Sequence, residues 1–247
     1  MTARGGGACE RIHGHRAALA VLERRPDDVI RVACTREHLA AVEHALGKRK
    51  THVGLLREHE IEKLAGTKQH EGICLEASER AWLSPLELAD RLTARRGVAL
   101  ALDRVRNSYN IGAILRSAAF FGVDAVILGA PAPHPGLDPN AIRVAEGGCE
   151  HLDLARTTDL ADTIGRLRRR GVTVLGTDGH ADADALTYDF PRPSVLVLGN
   201  EREGLSGRVR AQCDVLLAIK GTGAVESLNV GVAAGVAIAR LTAPPRT

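Results

Sequence analysis

Four continuous apolar runs in the C-terminal part of the chain constrain its fold more than any other feature of the sequence. Strands that are apolar on both faces are typical of a parallel sheet with helices on either side. Helix-like segments alternate with these runs, so the sequence predicts an α/β fold with a parallel sheet. The predicted strands span residues 98–102, 125–128, 172–175 and 195–198, and the predicted helices span residues 110–121, 159–170, 206–212 and 228–241.

A shorter α/β pattern comes first and predicts a smaller domain over residues 10–77. Its predicted helices are 17–24, 37–46 and 58–65, and its predicted strands are 29–33, 51–56 and 72–76. Residues 78–96 are predicted to form a linker helix, with Ser84 as the N-cap and Pro85 at the first helical position. The larger domain is predicted over residues 97–241, with an irregular proline-rich loop at 131–139.

Composition excludes several classes of protein. An apolar content of 45% is ordinary for a globular chain, and no window reaches the 18 apolar residues of a membrane span. The N-terminus does not resemble a secretory signal, so we expect a cytoplasmic protein. An aromatic content of 2% rules out a platform of base-stacking rings, and a net charge of +3 limits any RNA-binding face to a local basic patch.

Metal and cysteine chemistry are not predicted. The five cysteines include no C-x-x-C pair, which argues against a zinc knuckle or a disulfide framework. His13 with His15, and His180 with the acids that follow it, do not complete a known set of metal ligands. No motif supplies a base for Cys149, so it is not a candidate nucleophile. The glycine-rich signatures for dinucleotides and nucleoside triphosphates are also missing from the sequence.

Polar residues follow the predicted strands in three blocks, which we call the first, second and third motifs. In open α/β sheets such strand-end positions are where ligands bind. The first motif, residues 103–118, contains Asn110, a predicted helix N-cap, and Arg116, which lies off the buried stripe of its helix. Arg116 is either a solvated surface residue or a contact to phosphate or ribose.

The second motif, residues 195–205, has two glycines around a charged tip; it is either a plain polar loop or a place where the backbone approaches a ligand. The third motif, residues 219–235, contains Ser227, a predicted helix N-cap, and Asn229, whose amide needs partners. Gly231 and Gly235 lie on one helical face, which favours either close packing within the chain or a subunit interface.

In these residues the chain resembles the SpoU/TrmH family of S-adenosylmethionine-dependent RNA ribose 2'-O-methyltransferases. The three blocks are similar, in order, to the family motifs N-x-G-x-x-x-R, G-N-E-x-x-G-L and I-P-M-x-G-x-x-x-S-L-N. The segment from Arg11-Ile-His-Gly to His70-Glu-Gly-Ile resembles the family's small RNA-binding substrate domain. The resemblance implies a trefoil-knotted parallel-sheet methyltransferase domain and a homodimer whose active site uses both subunits.

The resemblance also assigns residues to roles. It implies a catalytic set of Asn110, Arg116, Glu201, Ser227 and Asn229. It implies S-adenosylmethionine binding by Thr177, Asp178, Gly179, Leu198, Gly199, Asn200, Gly204, Ile219, Ser227 and Leu228. A family proposal makes the arginine the general base; we interpret Arg116 instead as a phosphate clamp that stabilises charge on the 2'-oxygen, because a guanidinium is a poor proton acceptor.

The expected substrate is structured RNA. Ribosomal RNA of the 23S type is favoured because the additional N-terminal domain resembles that branch of the family; tRNA and a self-protecting resistance methylation of ribosomal RNA are the alternatives. The predicted RNA contacts are Lys48, Arg49, Lys50, Arg106 and Arg116. The arginines at 166 and 168–170 have another explanation, since cations are favourable at the C-terminal end of a helix.

The chain departs from the family pattern at three places. Lys220 and Gly221 replace the usual proline and methionine of the third motif, which puts cofactor affinity in question. Arg202 stands where a glycine is common, and Glu71 replaces a frequent glutamine. An RNA-binding protein with weakened cofactor use is therefore the alternative to an enzyme. The five retained motif residues argue against that alternative.

Overall fold

The computed structural model describes residues 9–132 and 134–243, which divide into two compact units. The first unit contains the residues up to Ala81 together with Leu137–His151, and the second contains Trp82–Gly136 and the residues from Leu152 onward. Among the described residues, no helix is long and apolar enough to cross a membrane.

The first unit is built on a four-stranded sheet with the strand order β1-β4-β2-β3. β4 pairs antiparallel with β1 and β2, whereas β2 and β3 are parallel. The elements up to Ser78 are β1 (Cys9–His13), α1 (His15–Arg24), β2 (Val29–Cys34), α2 (Leu39–Leu46), β3 (His52–Leu55), α3 (Glu58–Ala65) and β4 (Ile73–Ser78).

The second unit contains a seven-stranded sheet with the order β7-β6-β5-β10-β8-β11-β9, in which every pairing is parallel. Helix α6, although it lies between β6 and β7 in the chain, belongs to the first unit. The remaining elements are α4 (Pro85–Arg95), β5 (Val98–Asp103), α5 (Ser108–Phe120), β6 (Ala125–Gly129), α6 (Pro139–Val144), β7 (Asp153–Thr157), α7 (Leu160–Arg169), β8 (Thr173–Thr177), β9 (Ala183–Asp184), β10 (Ser194–Leu198), α8 (Gly207–Arg210), β11 (Val215–Ala218) and α9 (Val230–Thr242).

The predicted α/β fold with a parallel sheet is confirmed. Residues of β5 and β10 are buried throughout, as expected for central strands covered on both faces. α4 begins as predicted, since the Ser84 hydroxyl accepts from the Glu87 N–H at 3.3 Å and the Glu87 side chain reaches back to the Ser84 N–H at 2.9 Å. The sequence did not reveal β1, β7, β9, β11 or α6.

Two predicted helix starts are wrong. The N-cap of α5 is Asn107 rather than Asn110, and the N-cap of α9 is Asn229 rather than Ser227. In both helices, an asparagine side-chain oxygen accepts the first free backbone N–H groups, which satisfies donors that have no partner inside the helix. The shift by a few residues moves Asn110 into the first turn of α5.

The sheet order determines what meets at its carboxyl edge. β5, β10, β8 and β11 are consecutive neighbours, and their registers bring Leu102 beside Leu198 and Thr177 beside Leu217. The three motifs follow β5, β10 and β11, and residues 177–179 lie at the end of β8. All the predicted site segments of the second unit therefore begin along one edge of the sheet.

Candidate active site

The loop after β5 places Asn110 by capping α5 one turn earlier in the sequence. The Asn107 side-chain oxygen accepts from the backbone N–H of Tyr109 at 2.9 Å and of Asn110 at 3.3 Å. Asp103, which is 3% exposed at the end of β5, accepts from the Ser206 N–H at 2.6 Å. The carboxylate of Asp103 thus joins the β5 end to the chain that follows the second motif.

The second motif folds into a closed loop with Glu201 at its tip. Backbone hydrogen bonds join Asn200 and Gly204 in both directions, at 3.0 and 2.9 Å, and the Asn200 side-chain oxygen accepts from the Arg202 N–H at 3.0 Å. A Cβ on Gly199 would lie 2.4 Å from the carbonyl carbon of Gly204. Glycine is therefore required at 199 by the closure of the loop itself.

Side chains from all three motifs form one hydrogen-bonded group. The Asn110 amide nitrogen donates to Glu201 Oε1 at 2.8 Å, and the Asn229 amide nitrogen donates to Asn110 Oδ1 at 3.1 Å. Asn229 Oδ1 accepts the N–H groups of Gly231 and Val232, so its nitrogen must face Asn110. This fixes the direction of both bonds and leaves Glu201 as an acceptor.

Arg116 and Ser227 are exposed on the same two motif segments. Arg116 lies on α5, less than two turns beyond Asn110, and Ser227 lies two residues before the N-cap of α9. Neither side chain is buried in the unit, so both are accessible to a substrate. The structure thus joins the two amides to the carboxylate of the second motif, and it shows no hydrogen bond from Arg116 or Ser227 to that carboxylate among the contacts of the described residues.

Helix α9 approaches α5 closely at one of its two glycines. A Cβ on Gly231 would lie 3.6 Å from the Ala113 Cβ and 3.8 Å from Asn110 Oδ1, whereas a Cβ on Gly235 would meet nothing within 4 Å. Packing within the chain therefore accounts for Gly231. Gly235 leaves open space on the outer surface of α9.

The positions of the predicted cofactor residues suit a ligand that binds through hydrogen bonds to the backbone. Residues 177–179, 198–200 and 219 lie at the ends of three adjacent strands, and a Cβ on Gly179 or Gly221 would meet nothing within 4 Å. Leu228 is 47% exposed and offers an apolar surface. Backbone donors and acceptors beside open space suit a nucleoside such as that of S-adenosylmethionine.

Asp178 is already engaged within the chain. Its carboxylate accepts from the His180 N–H at 2.9 Å and forms an ion pair with Arg210. An open cleft of about 700 Å³ lies beside this pair, and none of the predicted cofactor residues lines it. Asp178 therefore stabilises its own turn, and its contact with the cofactor stays a prediction.

The predicted RNA contacts differ in how they are paired. Lys48, Arg49 and Lys50 are exposed after α2, with Arg49 Nε 3.8 Å from the Asp27 carboxylate, and Arg106 is exposed before α5. Three of the four arginines at the end of α7 and just after it have close acidic partners: Arg166 binds Asp162 at 2.8 Å, Arg168 binds Asp214 at 2.6 Å and Arg170 binds Asp90. These ion pairs neutralise much of the α7 cluster.

Cysteine and metal chemistry find no support in the described part of the chain. Burial raises the pKa of the Cys149 thiol to about 12, so the thiol stays protonated at neutral pH. The described residues contain no group of three or more side chains suited to a metal ion.

Sequence reasoning missed two residues that shape the site, the helix cap Asn107 and Arg104. The Arg104 carbonyl accepts from the Asn200 amide at 3.0 Å, and its guanidinium pairs with Glu203, which fastens the second motif to the β5 end. Arg104 has a positive φ of 59°, and no sequence signal marks a left-handed arginine.

Comparisons with known proteins find relatives of the chain. Residues 97–239 match the model of the SpoU rRNA Methylase family, and residues 11–82 match the model for RNA 2'-O ribose methyltransferase substrate binding. A 23S rRNA (guanosine-2'-O-)-methyltransferase, RlmB, of Ralstonia nicotianae is 39% identical over 71% of this chain and 70% of its own. RlmB of Salmonella typhimurium is 33% identical over 93% of this chain and 96% of its own.

Solved structures show the same fold. The SpoU methyltransferase AviRb from Streptomyces viridochromogenes, in complex with AdoMet, superposes with a TM-score of 0.79 at 24% identity, covering 95% of this chain and 89% of its own. An rRNA methyltransferase from Sinorhizobium meliloti superposes with a TM-score of 0.76. The predicted family is therefore confirmed, and the chain belongs to the SpoU rRNA methylase family.

Proposed function

We propose that this chain transfers a methyl group from S-adenosylmethionine to a ribose 2'-hydroxyl in ribosomal RNA, acting in the cytoplasm. The hydrogen-bonded group of Asn110, Glu201 and Asn229 carries this proposal, because it joins three motifs of an RNA methyltransferase family. The RlmB relatives are named for guanosine in 23S rRNA, which makes that nucleoside the first substrate to test.

Bound S-adenosylmethionine would supply an electrophilic methyl group on a sulfonium, and the protein must bring a ribose oxygen in line with it. Such a transfer depends mainly on positioning and on stabilising negative charge as it develops on oxygen. Glu201 has one oxygen held by Asn110, and its other oxygen can accept the hydrogen bond of the substrate hydroxyl. Asn229 keeps Asn110 in the orientation that this requires.

Arg116 is the residue to which this proposal gives the role of a phosphate clamp. It is exposed on α5, the helix that also carries Asn110, and its guanidinium can bind a phosphate oxygen next to the reacting ribose. The same charge would stabilise the 2'-oxygen as the C–O bond forms, the sulfonium C–S bond breaks to leave S-adenosylhomocysteine, and the hydroxyl proton passes to the free oxygen of Glu201. Ser227, exposed before α9, is placed to orient the substrate or the chain around it.

A homodimer is part of this proposal. The outer surfaces of α5 and α9 expose large apolar side chains: Tyr109 is 50% exposed, Phe120 is 82% exposed and Val232 is 55% exposed. Monomeric proteins rarely leave such a patch uncovered. A second copy of the chain, seated on this surface and on the open side of Gly235, would bring a second set of motif residues to each site.

Sedimentation velocity tests the dimer. We expect the wild-type protein to sediment as a dimer and the Val232→Asp variant to sediment as a monomer with lost methyl transfer. A monomeric wild-type protein would contradict this part of the proposal. The trefoil knot and the domain bounds 10–77, 78–96 and 97–241 stay predictions.

Methyl transfer is tested directly with the purified protein, labelled S-adenosylmethionine, and unmodified transcripts of ribosomal RNA or tRNA. We expect label in 23S-type ribosomal RNA, in a ribose that resists alkaline hydrolysis, and none with the Glu201→Ala variant. Label in tRNA alone would shift the substrate to tRNA. Calorimetry that detects RNA binding but no binding of S-adenosylmethionine or S-adenosylhomocysteine would favour the RNA-binding alternative and overturn the enzyme.

A further inference from the structure

Lys220 connects two loops that contain or adjoin the predicted cofactor residues. Its Nζ donates to the backbone carbonyl of Ala181 at 2.6 Å. Lys220 follows β11 at the start of the third motif, and Ala181 lies in the turn after β8. The contact therefore joins the loop of residues 219–229 to the loop of residues 178–182.

The turn that contains Ala181 is stabilised by its own hydrogen bond and ion pair. The Ala181 N–H donates to the Asp178 carbonyl at 3.1 Å, Asp178 is paired with Arg210, and Ala181 is 8% exposed. The next residues enter β9, where Ala183 is in register with Leu217 of β11. The Ala181 carbonyl oxygen is thus a fixed acceptor for the long side chain of Lys220.

The loop that Lys220 starts has little else to hold it. Residues 220–229 are all exposed, and the next side-chain anchor along the described loop that joins another motif is Asn229, which binds Asn110. Gly221 adds backbone freedom directly after the lysine, and a Cβ there would meet nothing within 4 Å. The family motif has a proline and a methionine at the positions of 220 and 221. A proline restricts the backbone by fixing φ.

We propose that Lys220 is a positioning residue for cofactor binding, whose side-chain bond to Ala181 replaces the backbone restriction of the family's proline. The bond fixes the first residue of the cofactor loop, while Asn229 fixes the last. This inference rests on the proposed function for its link to the cofactor. The tether itself is a property of the cofactor-free chain and is tested there first.

Amide hydrogen exchange of the cofactor-free protein provides that test. The variants are Lys220→Met, which removes the donor, Lys220→Arg, which keeps a donor, and Lys220→Pro, which restores the backbone restriction. Lys63→Met removes an equal charge from an exposed position on α3 and serves as the control. We expect faster exchange at residues 221–227 in Lys220→Met and near wild-type exchange in the other three variants.

Calorimetry with S-adenosylhomocysteine and S-adenosylmethionine then measures the effect on the cofactor. A bond of this kind contributes about a 3- to 10-fold change in affinity. We expect Lys220→Met to weaken both ligands equally by about this factor and Lys220→Arg and Lys220→Pro to restore binding. Equal weakening is expected because a tether acts on the loop, whereas a charge effect would act mainly on the cationic sulfonium.

Unchanged exchange and unchanged affinity in Lys220→Met would overturn the tether. A change confined to S-adenosylmethionine would also overturn it, in favour of a purely electrostatic role. If the wild-type protein binds neither ligand, the proposed function fails, and exchange alone then decides whether Lys220 holds the loop. The two failures are therefore distinguishable.

Discussion

Replacing Asn110 by aspartate removes one bond of the hydrogen-bonded group and leaves the other in place. The Asn110 amide nitrogen donates to Glu201 Oε1 at 2.8 Å, and a carboxylate at 110 has no donor for that bond. The bond from Asn229 survives, because the new side chain still offers an oxygen at the same place. The variant therefore sets two carboxylates against each other at the proposed reaction centre.

The expected loss follows from that distance. Two unit charges 2.8 Å apart repel by about 1.5 kcal/mol in a water-like dielectric, which is the right limit for an exposed carboxylate. The lost hydrogen bond adds about 1 kcal/mol. If the group acts in the transition state, Asn110→Asp lowers kcat/KM about 70-fold at pH 8. Asn110→Ala removes both bonds without repulsion and lowers kcat/KM about 30-fold.

The pH dependence separates this reasoning from a general loss of structure. A proton shared by the two carboxylates removes the repulsion and restores a donor between them. Relative to the wild type, Asn110→Asp should therefore gain about 10-fold in kcat/KM between pH 8 and pH 5.5, while Asn110→Ala stays constant. Single-turnover methyl transfer to ribosomal RNA measures both ratios. A ratio for Asn110→Asp that does not change with pH would refute the proposed geometry of the group.

Three further predictions concern single residues. Arg116→Lys should keep measurable methyl transfer and Arg116→Ala should not; complete loss in Arg116→Lys with unchanged RNA affinity would favour a general-base role. Gly199→Ala should lower the unfolding free energy in urea by about 3 kcal/mol, because its Cβ would lie 2.4 Å from the Gly204 backbone. Burial alone would raise the pKa of Glu10, but its bonds to Arg80 and Arg25 lower it below the ordinary value. Its contribution to stability is thus present at neutral pH and lost as the pH falls through the lowered pKa, so unfolding curves of wild type and Glu10→Gln should converge in acid.

The parallel sheet and the position of the site follow from the sequence for a simple physical reason. Strands that are apolar on both faces are recognisable, and their carboxyl ends lie at one edge of a parallel sheet. The residues after 103, 198 and 218 were therefore expected to meet, and Asn110, Glu201 and Asn229 do meet. Their roles in catalysis stay predictions.

Features that depend on tertiary context were not accessible in this way. Asn107 and Asn110 are equally good N-caps in isolation, and only the path of the chain after β5 selects Asn107. Strand β11 has only four residues and is read as a strand because β8 and β9 flank it. The reach of Lys220 to Ala181 joins residues 39 positions apart and has no local signal.

Residues 137–151 show the same dependence on tertiary context, since this segment follows a strand of the second unit yet packs with the first. Its Glu150 carboxylate lies 3.0 Å from Arg25 Nε and 3.2 Å from an Arg80 nitrogen, and these two cations also bind Glu10. The side chains of Arg80 and Glu150 are only 5% and 6% exposed. Two arginines thus share the carboxylates of Glu10 and Glu150, and the segment supplies the second of them.

Removing one charge from a buried network leaves its partners unpaired in the low-dielectric interior of the protein, where an unpaired charge is unfavourable. Glu150→Gln should accordingly lower the unfolding free energy of the full chain by about 3 kcal/mol, measured in urea at pH 7. Glu23→Gln, at an exposed position on α1, should change it by less than about 0.5 kcal/mol. Equal effects of the two substitutions would mean that apolar contacts alone keep residues 137–151 in the first unit. A large difference would show that the stability of the first unit depends on a carboxylate supplied from within the stretch that matches the methylase family.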